Sequence, residues 1–479
     1  MKDYNYERFT DDNIERAIRD SAGVENKTKF LHRRLELLLR TGKLLMESAA
    51  DTSRIYRSLN RVAAFLGLPE DKLHIYVDYN MLMVNFGDEA HSYTKFQHCD
   101  KHGINMHALS DLSNLSWKAI TNDYSIDRYE EELEKIANRK RNYSPWVTAI
   151  GAGFACGGFC IQFGCDWIAF LYASIAAIIG FRFKDIMMKR GFNSYMSMAL
   201  ATLISTIIAW SSYMLLPQTS NTPLHPLMAC ALFIVPGVPL INFVDDMLDN
   251  YISVGTSRAI HTALMLIAMS FGIALFIRLY DFSTGGSMFQ LFENIPMTPH
   301  HSYWEYAVAA AISAMGFSMI FNIPKRLLPV VAIGGIITVC TRNFVNLGPS
   351  TNNIGLDMGI VIGSLIGSTL ISLIAVKFAK WFRVPNHVIT IPSVIPMIPG
   401  VLMYRFLVAL IEMDGIIGEV TNAVKFGMAA TLTILAIAIG VAIPNVFARK
   451  LIERKFHNLL NTAIESRRKR GKFVDLSKV

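Results

Sequence analysis

The sequence predicts an α-helical polytopic membrane protein of about ten transmembrane helices in two inverted five-helix repeats, preceded by an N-terminal cytoplasmic α/β domain. Three observations carry this expectation. The 479 residues are 52% hydrophobic and only 18% charged, with a mean hydropathy of +0.33, which excludes an ordinary soluble enzyme. Charged residues gather before about residue 142, whereas apolar segments run almost without interruption from Pro145 to about Ala448. Finally, proline-glycine interruptions recur at matching positions in the two halves of that apolar stretch.

Within residues 1–142, apolar side chains recur at helical spacing from Lys27 to Leu66, first as Phe30, Leu31, Leu35, Leu38 and Leu39, then as Ile55, Leu59, Val62, Ala63 and Leu66. The stretch Ser48-Ala-Ala-Asp-Thr52 divides this run into two helices, and Pro69 closes it. Alternating segments at Leu73–Val77 and Met81–Phe86, with a third near Ser92–Phe96, predict a small antiparallel sheet. A helix from about Met106 to Arg139 completes the domain. The opening residues lack the apolar core that a secretory signal requires, so the domain is expected in the cytoplasm.

Segments long enough to cross a bilayer fall near 145–164, 167–183, 195–216, 226–244 and 257–279. Five more follow near 304–322, 327–345, 356–376, 387–411 and 425–447. They define one module over 143–282, a second over 300–448 and a basic tail over 449–479. With residue 1 inside, the inner connections hold Arg182, Lys184, Lys189, Arg190, Arg258, Lys325, Arg326, Lys377, Lys380 and Arg383, and the outer ones only Arg278, Arg342 and Lys425. That bias is the one cytoplasmic loops carry, and it places both termini in the cytoplasm. The net charge of +8 therefore reads as topology, not as nucleic-acid binding. Six cysteines (Cys99, Cys156, Cys160, Cys165, Cys230, Cys340) form no CxxC pair, so neither a disulfide framework nor a zinc ribbon is indicated.

The two membrane modules repeat. Gly158-Phe-Cys-Ile-Gln-Phe163 aligns with Gly316-Phe-Ser-Met-Ile-Phe321 at an offset of 158, and Ile234-Val-Pro-Gly-Val238 with Met397-Ile-Pro-Gly-Val401 at an offset of 163. Five spans per module is an odd number, so the second copy must run inverted. Inverted repeats with interrupted helices at matching positions place binding sites near the midplane of many secondary transporters.

Val235-Pro-Gly-Val-Pro-Leu-Ile-Asn242 cannot remain a regular helix, because each proline lacks an N–H and clashes with the preceding turn. The break is either a kink or a place where a polar substrate replaces lost backbone partners; its recurrence at Pro392, Pro396 and Pro399-Gly400 favours the second. Pro236, Gly237, Pro399 and Gly400 are thus candidate site residues. Asn242 supplies polarity, and Asp246 is the candidate for binding a proton or an ammonium group, with Asp245 as a second proton-coupling candidate and Asp249 as a solvated cap. Arg405, in an otherwise apolar stretch, either binds a substrate carboxylate or forms an internal ion pair.

Asp166, Asn221-Thr-Pro223 and the segment from Asn346 to Asp357 read as loop turns, and Gly359, Gly363 and Gly367 as a helix-packing stripe. His98, Cys99, Asp100, His102 and His107 lack regular zinc spacing, and no metal or cofactor is expected. No GxxxxGK[ST] loop or GxSxG elbow occurs, which argues against both ATP-driven transport and serine hydrolase chemistry.

Lys101-His-Gly-Ile-Asn-Met-His107, Pro236-Gly-Val-Pro-Leu-Ile-Asn242 with Asp246, Gly255 and Arg258, and Ile395-Pro-Met-Ile-Pro-Gly400 resemble motifs of the bacterial threonine/serine exporter family. The likeness covers about residues 30 to 445. It implies export of threonine and serine across the inner membrane, powered by the proton motive force. Relatives that carry the two modules on separate chains are associated with succinate export, so a dicarboxylate exporter is the alternative substrate class. A membrane-tethered enzyme is the alternative from another class. Protons and the lipid bilayer are the remaining expected partners, and assembly into a homo-oligomer is left open.

Overall fold

The computed structural model describes residues 24–87, 92–215, 219–285, 288, 295, 301–349, 354–411 and 417–469. The chain divides into two units, one comprising the residues up to Lys140 together with those from Arg449, the other Arg141–Ala448.

The first unit begins with helices α1 (Val24–Glu47) and α2 (Thr52–Phe65). The chain can turn between them because Ala49 adopts a left-handed φ of 62° and Asp51 caps α2, accepting from the Arg54 backbone N–H at 3.0 Å and from Arg54 Nε at 2.9 Å. Strands β1 (Leu73–Val77), β2 (Met81–Gly87) and β3 (Ser92–His98) form an antiparallel sheet in that order, with Ile75 opposite Val84 and Val84 opposite Lys95. Leu82, Val84 and Phe86 alternate inward and are buried. The single helix expected over 106–139 is two helices, α3 (Met106–Thr121) and α4 (Ile126–Ala137). Asp123 with φ 50° and the Ser125 cap on Arg128 N–H divide them, a local preference that helical periodicity does not reveal. Tyr129 of α4 is fully buried, its hydroxyl 2.9 Å from Thr41 Oγ1 of α1, and burial pushes that phenol above its ordinary range.

The regular elements described for the second unit are all helices: α5 (Pro145–Gln162), α6 (Trp167–Lys189), α7 (Ser194–Leu215), α8 (Pro226–Ala229), α9 (Gly237–Leu248) and α10 (Ile252–Thr284), then α11 (Tyr303–Ile320), α12 (Leu328–Asn346), α13 (Ile360–Phe382), α14 (His387–Val394), α15 (Gly400–Ile411) and α16 (Ile417–Lys469), whose residues from Arg449 onward belong to the first unit. Among the described residues six helices are long and apolar enough to cross a membrane, or eight if Pro226–Ile234 with Gly237–Leu248 and His387–Met397 with Gly400–Leu410 each count as one bent span. These make the chain a polytopic membrane protein. The other two predicted segments, α5 and α11, are helices of 18 residues each; their Gly, Ala and Ser content leaves them less apolar, and they fall outside that set.

The packing departs from that of a soluble core on its outer face. Leu171, Ile175 and Ile179 of α6 are exposed, whereas Ser197, Thr202, Ser205 and Thr206 of α7 are buried. Small residues inside and branched apolar ones outside suit a lipid surround, in which close van der Waals contact substitutes for the hydrophobic effect.

α5 and α11 pack in this way. A Cβ on Gly158 would lie 2.6 Å from the Ala309 carbonyl, and Gly316 is pressed against the Gly151 carbonyl in the same way. Ser313 donates to the Ala155 carbonyl at 3.2 Å. Contacts thus fall in one index as they rise in the other, so the helices run antiparallel, and each contact maps onto another under the 158-residue offset. The rings follow suit: Phe159 stacks on Phe163 at 5.9 Å, Phe317 on Phe321 at 5.8 Å, and Phe159 meets Phe317 edge-on at 5.8 Å. Gly158→Leu should therefore lower the stability of the detergent-purified protein by about 1–3 kcal/mol, measured as its thermal midpoint; an unchanged midpoint would show that the helices can part without loss.

Candidate functional site

Both bent spans break in the same manner. Leu232–Ile234 and Ile395–Met397 are single 3-10 turns, and the next amides, Val235 N–H and Ile398 N–H, donate back to Leu232 O at 3.1 Å and Ile395 O at 2.9 Å. Gly237 N–H and Gly400 N–H then reach only two residues back, to Val235 O and Ile398 O, at 2.8 Å each. Pro236 and Pro399 accept the first bonds of the following helices, from Leu240 at 2.9 Å and Met403 at 3.1 Å. The axes bend by 58° and 62°.

The breaks face one another. A Cβ on Gly237 would lie 2.9 Å from the Ile395 side chain and 3.0 Å from Ile398, and one on Gly400 would lie 2.7 Å from Leu232 and 3.1 Å from Val235. These contacts exchange under the offset of 163. Only glycine allows each helix start to seat against the other module's 3-10 turn, so all four predicted residues, Pro236, Gly237, Pro399 and Gly400, meet at one crossing.

From that crossing α9 runs back alongside α14: Gly237 is beside Ile395, and eight residues on, Asp245 Oδ2 is 3.9 Å from His387 Nδ1. Both side chains are 4% exposed. Asn242 and Asp246 are each 1% exposed. Asp246 Oδ2 is 3.1 Å from Arg258 Nε. A turn through Asn250, with φ 66°, reverses the chain into α10, and Gly255 lets α10 approach to where a Cβ would be 3.1 Å from the Phe243 carbonyl. That close approach carries Arg258 back to Asp246. Two buried carboxylates, a guanidinium and an imidazole thus form one cluster, in which α14 contributes the histidine from the second module.

Arg405 is not part of that cluster. By the same reciprocal packing α15 departs on the α8 side, so Arg405 and Asp246 lie on opposite sides of the crossing. At the helical rise, Arg405 is about 7 Å beyond Gly400 and Asp246 about 13 Å beyond Gly237. Arg405 Nη2 donates to the Ile295 carbonyl at 2.8 Å, and its guanidinium is 5.7 Å from the Phe426 ring centroid. Asp166 caps α6 through Ala169 N–H at 2.7 Å and accepts from Ser220 Oγ at 2.9 Å.

In the first unit the three histidines have separate partners: His98 with Asp100 at 2.7 Å, His102 stacked on Tyr79 and 2.8 Å from Asn80, His107 with Asp111 at 3.4 Å. Among the described residues no three His, Cys, Asp or Glu side chains gather in a way that could hold a metal ion.

His387 escaped sequence reasoning as a site residue, and Arg258 entered it only as a loop charge and part of a family motif. A lone histidine within an apolar segment was the available signal for His387. Nothing local marks Arg258, since its role depends on the reversal at Asn250.

Two bent helix pairs packed on one another beside buried charges are the kind of arrangement in which membrane transport proteins place binding sites. Residues 36–280 match the family model described as "Putative threonine/serine exporter", and residues 306–447 match that described as "Threonine/Serine exporter, ThrE". The chain belongs to the threonine/serine exporter family. It is 20% identical over 443 residues to the probable threonine/serine exporter of Mycobacterium tuberculosis, covering 91% of this chain and 80% of that one. It is also 22% identical over 244 residues to the probable succinate transporter subunit YjjP of Escherichia coli K12, covering 51% of this chain and 93% of that subunit. The same subunit of Klebsiella aerogenes matches at 22% over 241 residues, 50% of this chain and 91% of that one. No solved structure matches the chain.

The Asp246–Arg258 geometry makes a direct forecast. Removing one member of a buried pair strands the other and costs about 3–5 kcal/mol. Asp246→Asn and Arg258→Gln should each lower the thermal midpoint, and the double variant should recover part of the loss, with a coupling of at least about 1 kcal/mol. Additive losses in the cycle would mean that the two side chains act independently.

Proposed function

We propose that the protein exports small polar amino acids, L-threonine and L-serine, from a bacterial cytoplasm by alternating access, exchanging them for protons. The observation that carries this reading is the reciprocal seating of the two broken helices, with Asn242, Asp245 and Asp246 beside it in buried positions. A break in a lipid-embedded helix is tolerated where protein or a wet cavity satisfies the backbone, and rocking one module against the other would open such a crossing to alternate sides. The exchanged contacts of α5 with α11 and of Gly237 with Gly400 support an inverted repeat. Counting α5 and α11 as spans, each about 27 Å long, gives ten and brings both termini to the cytoplasmic face.

In this scheme Asp246 and Asp245 are the proton and ammonium sites, Asn242 orients the substrate, and Arg405 offers a cation on the far side of the crossing. His387, whose Nδ1 is 3.9 Å from Asp245 Oδ2, is the group with which Asp245 could exchange a proton. The dicarboxylate alternative draws on the two relatives named as succinate transporter subunits, which match only about half of this chain. The relative named as a threonine/serine exporter spans 91% of it.

In proteoliposomes, counterflow of labelled L-threonine should be driven by internal L-threonine or L-serine and left unaffected by succinate; exchange with succinate alone would replace the substrate assignment. A pH gradient, acidic on the outer face, should accelerate net threonine export from wild type. Asp246→Asn should lose that acceleration together with part of its exchange rate, and gradient dependence preserved in both Asp245→Asn and Asp246→Asn would remove the carboxylates from proton coupling.

A further inference from the structure

We propose that Arg342, Gln162 and Asn343 form a carboxylate-binding site, a second station for the transported molecule on the side of the crossing away from Asp246. Sequence position suggests that Arg342 is an ordinary charge at a loop, but it lies within α12, a turn before the end of that helix. α12 runs parallel to α14: Ser393 Oγ donates to the Val331 carbonyl at 3.5 Å, and Gly367, packed on Thr338 O, sits where a Cβ would be 3.2 Å from Met397 Sδ and 3.5 Å from Arg342 N. Arg342 is therefore just past the second 3-10 turn, on the Arg405 side.

The hydrogen bonds there are one-sided. Arg342 donates from Nε to Asn343 Oδ1 at 3.1 Å, and from Nη2 to Asn343 Oδ1 at 2.9 Å and to Gln162 Oε1 at 3.3 Å. Both amides have turned their oxygens to the cation. Their nitrogens, Gln162 Nε2 and Asn343 Nδ2, are buried and have no hydrogen-bond partner among the described residues. The two residues are only 6% and 3% exposed. Arg342 forms no ion pair with a carboxylate among the described residues, and its Nη1 donates to none of them.

The Nη1 N–H groups and two amide NH2 groups offer donors only, so the complement is an anion with at least two acceptor oxygens. One positive charge flanked by neutral amides suits a monoanion, whose carboxylate would accept from Arg342 Nη1 and from the amide nitrogens. Buried donors left unsatisfied in a native protein call for a partner, and a ligand carboxylate would satisfy both. The equivalent position in the first module is Lys184, 158 residues earlier. Its ammonium lies 4.7 Å from the Phe181 ring centroid and 5.6 Å from that of Phe233, a cation held by aromatic faces. The donor set is thus built on one side of the crossing only.

The inference deepens the transport reading and rests on it for the identity of the ligand. The test uses the full-length protein in detergent, with sodium acetate, L-threonine and L-threoninol, which lacks the carboxylate, as ligands read by thermal shift and calorimetry. Arg342→Gln should weaken binding of acetate and L-threonine by roughly 10- to 100-fold and leave L-threoninol unchanged. Gln162→Glu, which gives Arg342 an internal carboxylate, should block the same ligands while keeping or raising the thermal midpoint, an outcome that a purely structural role would not produce. If Gln162→Glu or Arg342→Gln does not fold, Arg342→Lys, which keeps the charge and loses the fork, should show an intermediate loss. Wild-type carboxylate affinity in any folded variant overturns the site, as does a wild type that responds to none of the carboxylates. Acetate binding that depends on Arg342 in a protein that transports neither amino acids nor succinate would keep the site and remove the transport reading. Intact threonine counterflow in folded Gln162→Glu would do the reverse.

Discussion

Hydrocarbon offers no hydrogen bonds, so a helix that breaks within it must find partners for its backbone in protein. Two proline-glycine breaks placed alone in lipid would each be costly. Here they are seated on one another, with Gly237 against Ile395 and Ile398 and Gly400 against Leu232 and Val235, and the amides at each break bond locally to Val235 and Ile398. The rest of the membrane unit follows from bringing these two points together. α9 must run along α14, α15 must depart on the opposite side, and the polar residues of each span end up at a defined distance from the crossing.

The same constraint governs the charges. Asp245, Asp246, Arg258 and His387 are nearly or fully buried as a mixed group, which is how ionisable side chains persist in an apolar surround. The cluster joins both modules, so a shift of one module relative to the other would change its pairing. On the other side of the crossing Arg342 is held by neutral oxygens, those of Gln162 and Asn343, and Arg405 donates to the Ile295 carbonyl. The Asp246–Arg258 pair and the Arg342 group thus differ in electrostatic character even though the backbone arrangement repeats.

Much of this was legible along the chain. The α1–α2 interruption, the three strands and the positions of the broken spans are written in local chemistry: a capping aspartate, period-two alternation, and prolines that cannot continue a helix. The helix expected over 106–139 was misjudged because Asp123 and Ser125 end a turn without disturbing the apolar period. Transmembrane number was less legible, since the Gly- and Ala-rich α5 and α11 trade apolarity for close contact. Of the site, Asp245, Asp246 and Asn242 were readable as buried polar residues after a break, while the separation of Arg405 from them was not, because it depends on which way each half-helix leaves the crossing.

By itself the sequence determined the two regimes of the chain and where its helices break, because each is a matter of composition or of the covalent limits of proline and glycine. Tertiary structure alone decided that the two breaks meet and that His387 reaches Asp245 from the other module. It also decided that Arg258 folds back to Asp246 and that Gln162 and Asn343 turn their oxygens to Arg342. Those are contacts between residues as many as 180 positions apart, and they are set by how small side chains let helices approach, a property of surfaces in contact that no local pattern records.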